Sequence, residues 1–230
     1  MGLPLDHPTG ARAFRVYAAL TNHCNRACPW CSTCSHPGGS TFLAVDALRA
    51  QLPPTGPYEL QLEGGEPTIV PDFWRFVELA RADPRCQRLV LCTNGVVLPR
   101  QRERLAAYLR RLGAPLTLKL SINHHLLDED PGLTALAQLL LELSDEEIVF
   151  NVRLRRGVDD DDARVRAAVE AAGLLPRCNV FYLQRYGFAR DEATWQEPFV
   201  VSERFAMVNP DGQRFGPDLI ARSEAMRVLP

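Results

Sequence analysis

The chain has no surplus of charge of either sign. Its 26 Lys and Arg face 28 Asp and Glu, a formal net charge of −2. A broad platform for nucleic acid needs a basic excess, so nucleic acid is not an expected partner. Nowhere do the roughly 20 consecutive apolar residues of a membrane span occur. The opening residues Met1 to Ala13, with Pro4, Asp6, His7 and Pro8, lack a basic start followed by an apolar stretch. No secretion signal is read there, no membrane partner is expected, and a cytoplasmic setting follows. Internal repeats and low-complexity linkers are also missing. What remains is a globular composition, 46% hydrophobic over 230 residues, enough for one generous domain with a real core.

A second pair of close cysteines is missing too. The chain has seven cysteines, an odd number that excludes a fully paired intrachain disulfide framework. Cys24, Cys28, Cys31 and Cys34 cluster together, while Cys86, Cys92 and Cys178 are scattered and read as buried small hydrophobes. A tight cysteine cluster without an export signal points to metal chemistry. The spacing C-x3-C-x2-C over Cys24, Cys28 and Cys31 suits three irons of a four-iron cluster, leaving the fourth iron open to a ligand. A structural zinc site is the alternative, with Cys34 or His36 as fourth ligand. Zinc loops usually draw two ligands from each of two segments, and no second pair exists here.

Short apolar runs alternate with helical patterns. Phe14–Leu20, Tyr58–Leu62, Arg88–Cys92, Leu116–Ile122, Ile148–Leu154 and Val180–Leu183 read as strands bounded by breakers. Val45–Leu52, Asp72–Ala82, Arg100–Leu112, Leu133–Leu143 and Asp161–Ala172 read as helices, two of them followed by Gly113 and Gly173. Six β-α units, the last without a clear helix, imply a parallel sheet with helices outside. The expected fold is α/β, a partial (β/α)6 TIM-like barrel with a short C-terminal β-containing extension. Residues 1–13 form an N-terminal arm, 14–190 the core, and 191–230 an extension without cluster cysteines. In that extension Phe199–Val201 and Phe205–Val208 read as strands, the turn Asn209-Pro210-Asp211-Gly212 leads to Gln213–Phe215, and the whole reads as an appendage.

Four motifs fall at the ends of these strands. Cys24-Asn25-Arg26-Ala27-Cys28-Pro29-Trp30-Cys31 follows the first, Glu63-Gly64-Gly65-Glu66-Pro67 the second, Thr93-Asn94-Gly95 the third and Ser121-Ile122-Asn123 the fourth. Arg153 lies on the fifth. Over residues 14–185 the chain resembles the radical S-adenosylmethionine enzyme superfamily. The cysteine loop, with Trp30 at its aromatic position, is similar to that family's cluster motif, and the glycine run to its GGEP motif.

The resemblance implies a mechanism. Cys24, Cys28 and Cys31 would ligate a [4Fe–4S] cluster, and S-adenosylmethionine would chelate the open iron. An electron supplied by a donor such as flavodoxin or ferredoxin would cleave the sulfonium, and the 5′-deoxyadenosyl radical would take hydrogen from a small-molecule or peptide substrate. Gly64, Gly65 and Glu66 would border the methionine end. Ser121 and Arg153 would bind its carboxylate, Asn123 would reach the ribose, and Trp30 would offer a plane for adenine. Parallel barrels place ligands at these strand ends, and Asn151 and Arg153 share a face there.

Other residues carry plainer readings. Cys34 is surplus to the motif and reads as a loop-packing residue. His124–His125 reads as a surface loop, with a substrate-facing acid or base as the functional option. His23 is a candidate for tuning the cluster from behind its ligands. The acidic runs Asp128–Asp130 and Asp159–Asp162 read as solvated or capping charge. Two further functions stand beside the radical enzyme of unidentified substrate: a glycyl-radical activating enzyme acting on a protein partner, and a non-catalytic metal-stabilised binding module.

Overall fold

The computed structural model describes residues 14–155, 159–191 and 204–230. Six strands follow one another as the sequence pattern requires: β1 (Phe14–Ala19), β2 (Tyr58–Glu63), β3 (Cys86–Thr93), β4 (Leu116–Ile122), β5 (Glu147–Leu154) and β6 (Cys178–Tyr182). Each pairs in parallel with the next, as crossover connections demand. The intervening helices are α1 (Val45–Gln51), α2 (Phe73–Ala82), α3 (Arg102–Leu112), α4 (His124–Glu129), α5 (Leu133–Leu143) and α6 (Asp159–Ala171). Gly113 ends α3 at φ 74°, its N–H returning to the carbonyls of Leu109 and Arg110. That left-handed conformation favours glycine.

The extension is no appendage. Its strand β7 (Phe205–Val208) lies parallel to β1, with Arg15 opposite Phe205 and Ala18 opposite Val208. A hairpin through Asn209 and Gly212 then brings β8 (Arg214–Phe215) antiparallel to β7. The sheet therefore runs β6-β5-β4-β3-β2-β1-β7-β8, and β1 is an interior strand. A final helix, α7 (Leu219–Arg227), is capped by the Asp218 carboxylate, which accepts the Ala221 N–H. The expected strand at Phe199–Val201 lies outside the described residues.

The two faces of the sheet differ in chemistry because strand side chains alternate. One face carries Val16, Ala18, Leu60, Leu62, Leu89, Leu91, Leu118, Leu120 and Phe150. These join Phe76, Leu105, Leu112, Leu136 and Leu140 of the helices in one apolar cluster. Each such fully buried Val, Leu or Phe side chain contributes roughly 1.5–3 kcal/mol. The other face carries Arg15, Glu59, Gln61, Arg88, Thr117 and Lys119, joined by polar contacts. Arg15 Nε donates to Glu59 at 2.7 Å, and Lys119 Nζ donates to Gln61 Oε1 at 3.0 Å. Residues from β1 through β7 wall a single cavity on this polar side, so the sheet curls around it. Among the described residues, no helix is long and apolar enough to cross a membrane.

Candidate active site

The cavity has a volume of about 320 Å³. Cys24, Cys28 and Cys31 line it together with Trp30, Gly64, Gly65, Ser121, Asn123 and Arg153. The loop carrying the thiols leaves β1 through Thr21, whose hydroxyl donates to the Thr41 carbonyl at 2.8 Å and accepts the His23 N–H at 2.8 Å. The Cys31 N–H returns to the Cys28 carbonyl at 3.1 Å, which folds the loop back on itself.

The glycines of the second motif have a specific task. The Gly65 N–H donates to the Thr21 carbonyl at 2.7 Å and the Glu66 N–H to the His23 carbonyl at 3.0 Å. A Cβ on Gly65 would stand 1.8 Å from the His23 carbonyl oxygen, and one on Gly64 2.7 Å from that of Thr21. The absent side chains thus let this turn dock on the backbone of the cysteine loop. Both glycines also border the cavity.

Glu66 is placed differently from its expected role. It is fully buried and is not part of the cavity wall. Its Oε1 accepts the Thr93 hydroxyl at 2.8 Å, the Thr68 N–H at 3.2 Å and the Thr68 hydroxyl, while Oε2 accepts the Asn94 N–H at 2.8 Å. With both oxygens engaged, it ties the glycine turn to the Thr93-Asn94-Gly95 turn rather than facing a ligand amine. Burial still pushes its carboxyl above the usual range, against those four hydrogen bonds.

The sulfurs are met by donors. Asn94 Nδ2 lies 3.7 Å from Cys24 Sγ, and the Ser35 N–H lies 3.4 Å from Cys31 Sγ. Burial pushes the thiols of Cys24 and Cys28 up to about 12. These two thiols would therefore stay protonated near neutral pH unless positive charge stabilised their thiolates, which is what a bound metal centre supplies. Among the described residues, no three His, Cys, Asp or Glu side chains converge closely enough to share one ion. Three thiols on one cavity wall are the donor set of an iron–sulfur cluster, which divides its ligands among several irons.

Around this mouth the polar groups are only partly used. Asn151 Oδ1 is buried without a hydrogen-bond partner among the described residues. Arg153 lies on the same face of β5, on the cavity wall. Asn123 is on the wall too, but its Oδ1 caps α4 by accepting the Leu126 N–H at 2.9 Å. Trp30 is buried, with the His124 ring 4.6 Å from it centre to centre and the Arg155 guanidinium 5.7 Å from its centroid.

Several side readings change. His124 and His125 open α4 instead of forming a loop, pair with Asp161 and Glu129 respectively, and stay off the cavity wall. The His23 ring engages the Gly39 carbonyl at 3.0 Å, faces Phe42 and is not on the cavity wall. Cys34 is buried against α7, its Sγ 3.8 Å from the Ser223 carbonyl. Cys92, read as a packing residue, lines the cavity. Tyr17, Gln61, Glu63, Lys119 and Arg222 also line it, unforeseen as site residues. The period-2 pattern of YELQLE and LTLKLSI carried the signal for three of them, Gln61, Glu63 and Lys119, since their polar residues share one face.

A family model described as Radical SAM superfamily matches residues 19–172. GTP 3′,8-cyclase of Acidothermus cellulolyticus is 31% identical over 183 residues, covering 73% of this chain and 51% of that protein. The 7,8-dihydro-6-hydroxymethylpterin dimethyltransferase of Methanocaldococcus jannaschii is 27% identical over 181 residues, covering 70% of this chain and 34% of that protein. The chain spans about a third to a half of the length of these two relatives. The solved structure of BtrN in complex with AdoMet and 2-DOIA overlays at a TM-score of 0.42 and 17% identity, over 94% of this chain and 77% of that one. The thiol loop, the glycine turn docked on it and the match over residues 19–172 lead to one statement: this chain belongs to the radical SAM superfamily.

Proposed function

We propose that this protein is a radical enzyme that binds a [4Fe–4S] cluster and S-adenosylmethionine and takes hydrogen from a small-molecule substrate. One observation carries the reading. The three motif thiols and the candidate cofactor contacts Trp30, Gly64, Gly65, Ser121, Asn123 and Arg153 wall one cavity, which continues inward to a polar floor.

When bound, the cluster would deliver one electron, from a donor such as flavodoxin or ferredoxin, for cleavage of S-adenosylmethionine to a 5′-deoxyadenosyl radical. The protein's own residues would do the rest. Cys24, Cys28 and Cys31 would hold the cluster, and the Asn94 amide and Ser35 N–H would support two of their sulfurs. Arg153 and Ser121 would orient the methionine carboxylate, and Trp30 would shield the adenine from water. A cavity of about 320 Å³, walled on one side by Phe205, Met207, Leu219 and Arg222, is in the size range of small-molecule sites. That wall, which closes one side of the cavity, favours a small substrate over a protein partner.

The test is anaerobic reconstitution with iron and sulfide, followed by S-adenosylmethionine and dithionite. Formation of 5′-deoxyadenosine, read by liquid chromatography and mass spectrometry, is expected. A preparation with four irons per chain that forms none would overturn the proposal.

A further inference from the structure

Two cations of the cavity have no task in the reading above. Lys119 is buried on β4 and lines the cavity. It lies two residues before Ser121 on the same face, hence roughly 6–7 Å deeper along the strand. Its ammonium has three N–H donors, and one goes to Gln61 Oε1 at 3.0 Å. Among the described residues, no carboxylate lies within ion-pair distance of it. The Cys92 thiol, in register with it on β3, and the more distant Glu63 and Glu147 are the acidic groups that act on it, with Arg15 opposing them. A buried ammonium without a partner carboxylate is costly, and such groups are seldom kept without one.

Arg222 reaches the same cavity from α7. Its Nη1 pairs with Glu63 Oε1 at 2.7 Å, and its Nε donates to Asn209 Oδ1 at 3.1 Å. Its Nη2 is buried with no hydrogen-bond partner among the described residues. The floor therefore offers N–H donors from two buried cations, and Glu63 neutralises only one of them.

We infer that this floor is a substrate subsite for an oxyanion, the carboxylate or phosphate of a small molecule, held by Lys119 with Arg222 beside it. The inference rests on the radical-enzyme reading, because Arg153 and Ser121 are there assigned to the cofactor's own carboxylate, leaving Lys119 surplus. Its physical sense is orientation. An anion fixed on the floor directs the rest of the substrate toward the thiol-bearing mouth, where the radical would form. Asn151 Oδ1, level with Ser121 on the neighbouring strand, would accept a hydroxyl or amine of that molecule.

The experiment uses cluster-loaded protein saturated with S-adenosylmethionine, so that the cofactor's carboxylate site is filled. Succinate, inorganic phosphate and the neutral analogue succinamide are the probes, measured by equilibrium dialysis. Retention of succinate or phosphate, with succinamide bound at least tenfold more weakly, is expected, and the better anion identifies the group. Lys119→Gln is expected to weaken the anion at least tenfold, and Lys119→Arg to restore most of it. The inference is overturned if neither anion is retained, if succinamide binds as well, or if Lys119→Gln binds the anion as wild type does. If Lys119→Gln fails to fold, the comparison of anion with succinamide on the unaltered protein decides alone. Dialysis needs no radical chemistry. Anion binding without 5′-deoxyadenosine sinks the radical reading only, and 5′-deoxyadenosine without anion binding sinks the subsite only.

Discussion

Glu66 accepts the backbone N–H of Asn94 at 2.8 Å, across 28 residues of chain. A carboxylate at the end of β2 thereby sets the turn at the end of β3, and Asn94 in turn points its amide at Cys24. Glu66→Ala would leave the Thr93, Thr68 and Asn94 donors buried and unpaired, at a cost of about 3 kcal/mol. Glu66→Gln keeps an acceptor and mimics the neutral acid that burial favours, so about 1 kcal/mol is expected. Urea unfolding midpoints of the two variants check the order.

Gly65→Ala places a methyl group against the His23 carbonyl, an atom that belongs to backbone and cannot swing aside. A loss of about 3 kcal/mol or more is expected, together with failure to incorporate iron. Gly56, at φ 77° with no atom near its would-be Cβ, is the comparison. Gly56→Ala should cost only the left-handed backbone penalty, about 1–2 kcal/mol. Equal losses in thermal denaturation would remove the docking argument.

Cys28→Ala should lose the cluster, whereas Cys34→Ala should keep it. The Cys34 sulfur faces Ser223 on α7 and is not on the cavity wall. Iron per chain and visible absorbance after anaerobic reconstitution separate the two. The opposite result, with zinc in the wild type, would return the loop to a structural metal site.

Lys119→Met should stabilise the protein by about 1 kcal/mol near neutral pH, because it removes a buried charge. Burial holds the Lys119 ammonium below its ordinary value of 10.5, so the unfolded chain binds that proton more readily than the folded one. Wild-type stability therefore rises as pH climbs from the folded value toward 10.5, and the advantage of Lys119→Met shrinks over that window. Urea midpoints at about pH 7 and about pH 10 test the sign.

The strands and most helices were legible because each buries a face with its own period and stops at a breaker. The cysteine loop and glycine turn were legible because their chemistry is local in sequence. Three things were not. Helix α4 is too short for a 3.6-residue period to show, and its start is set by the Asn123 cap. The pairing of β7 with β1 joins distant segments, which no local pattern encodes. Glu66 looked like a ligand because a strand-end carboxylate beside glycines has two uses. Only the positions of Thr68, Thr93 and Asn94 decide for the cap over the contact.

The placement of β1 between β2 and β7 also sets an order of assembly. The Ser223 hydroxyl donates to the Ser32 carbonyl at 3.0 Å, over a separation of 191 residues. In a chain made in one direction, the cysteine loop emerges 191 residues before its brace. Contacts that distant are slow to form. A cluster delivered before α7 docks would meet a loop open on that side. One delivered afterwards would have to enter through the mouth of the cavity, so the same strand order that buries the site also sets the route by which a metal centre would reach it.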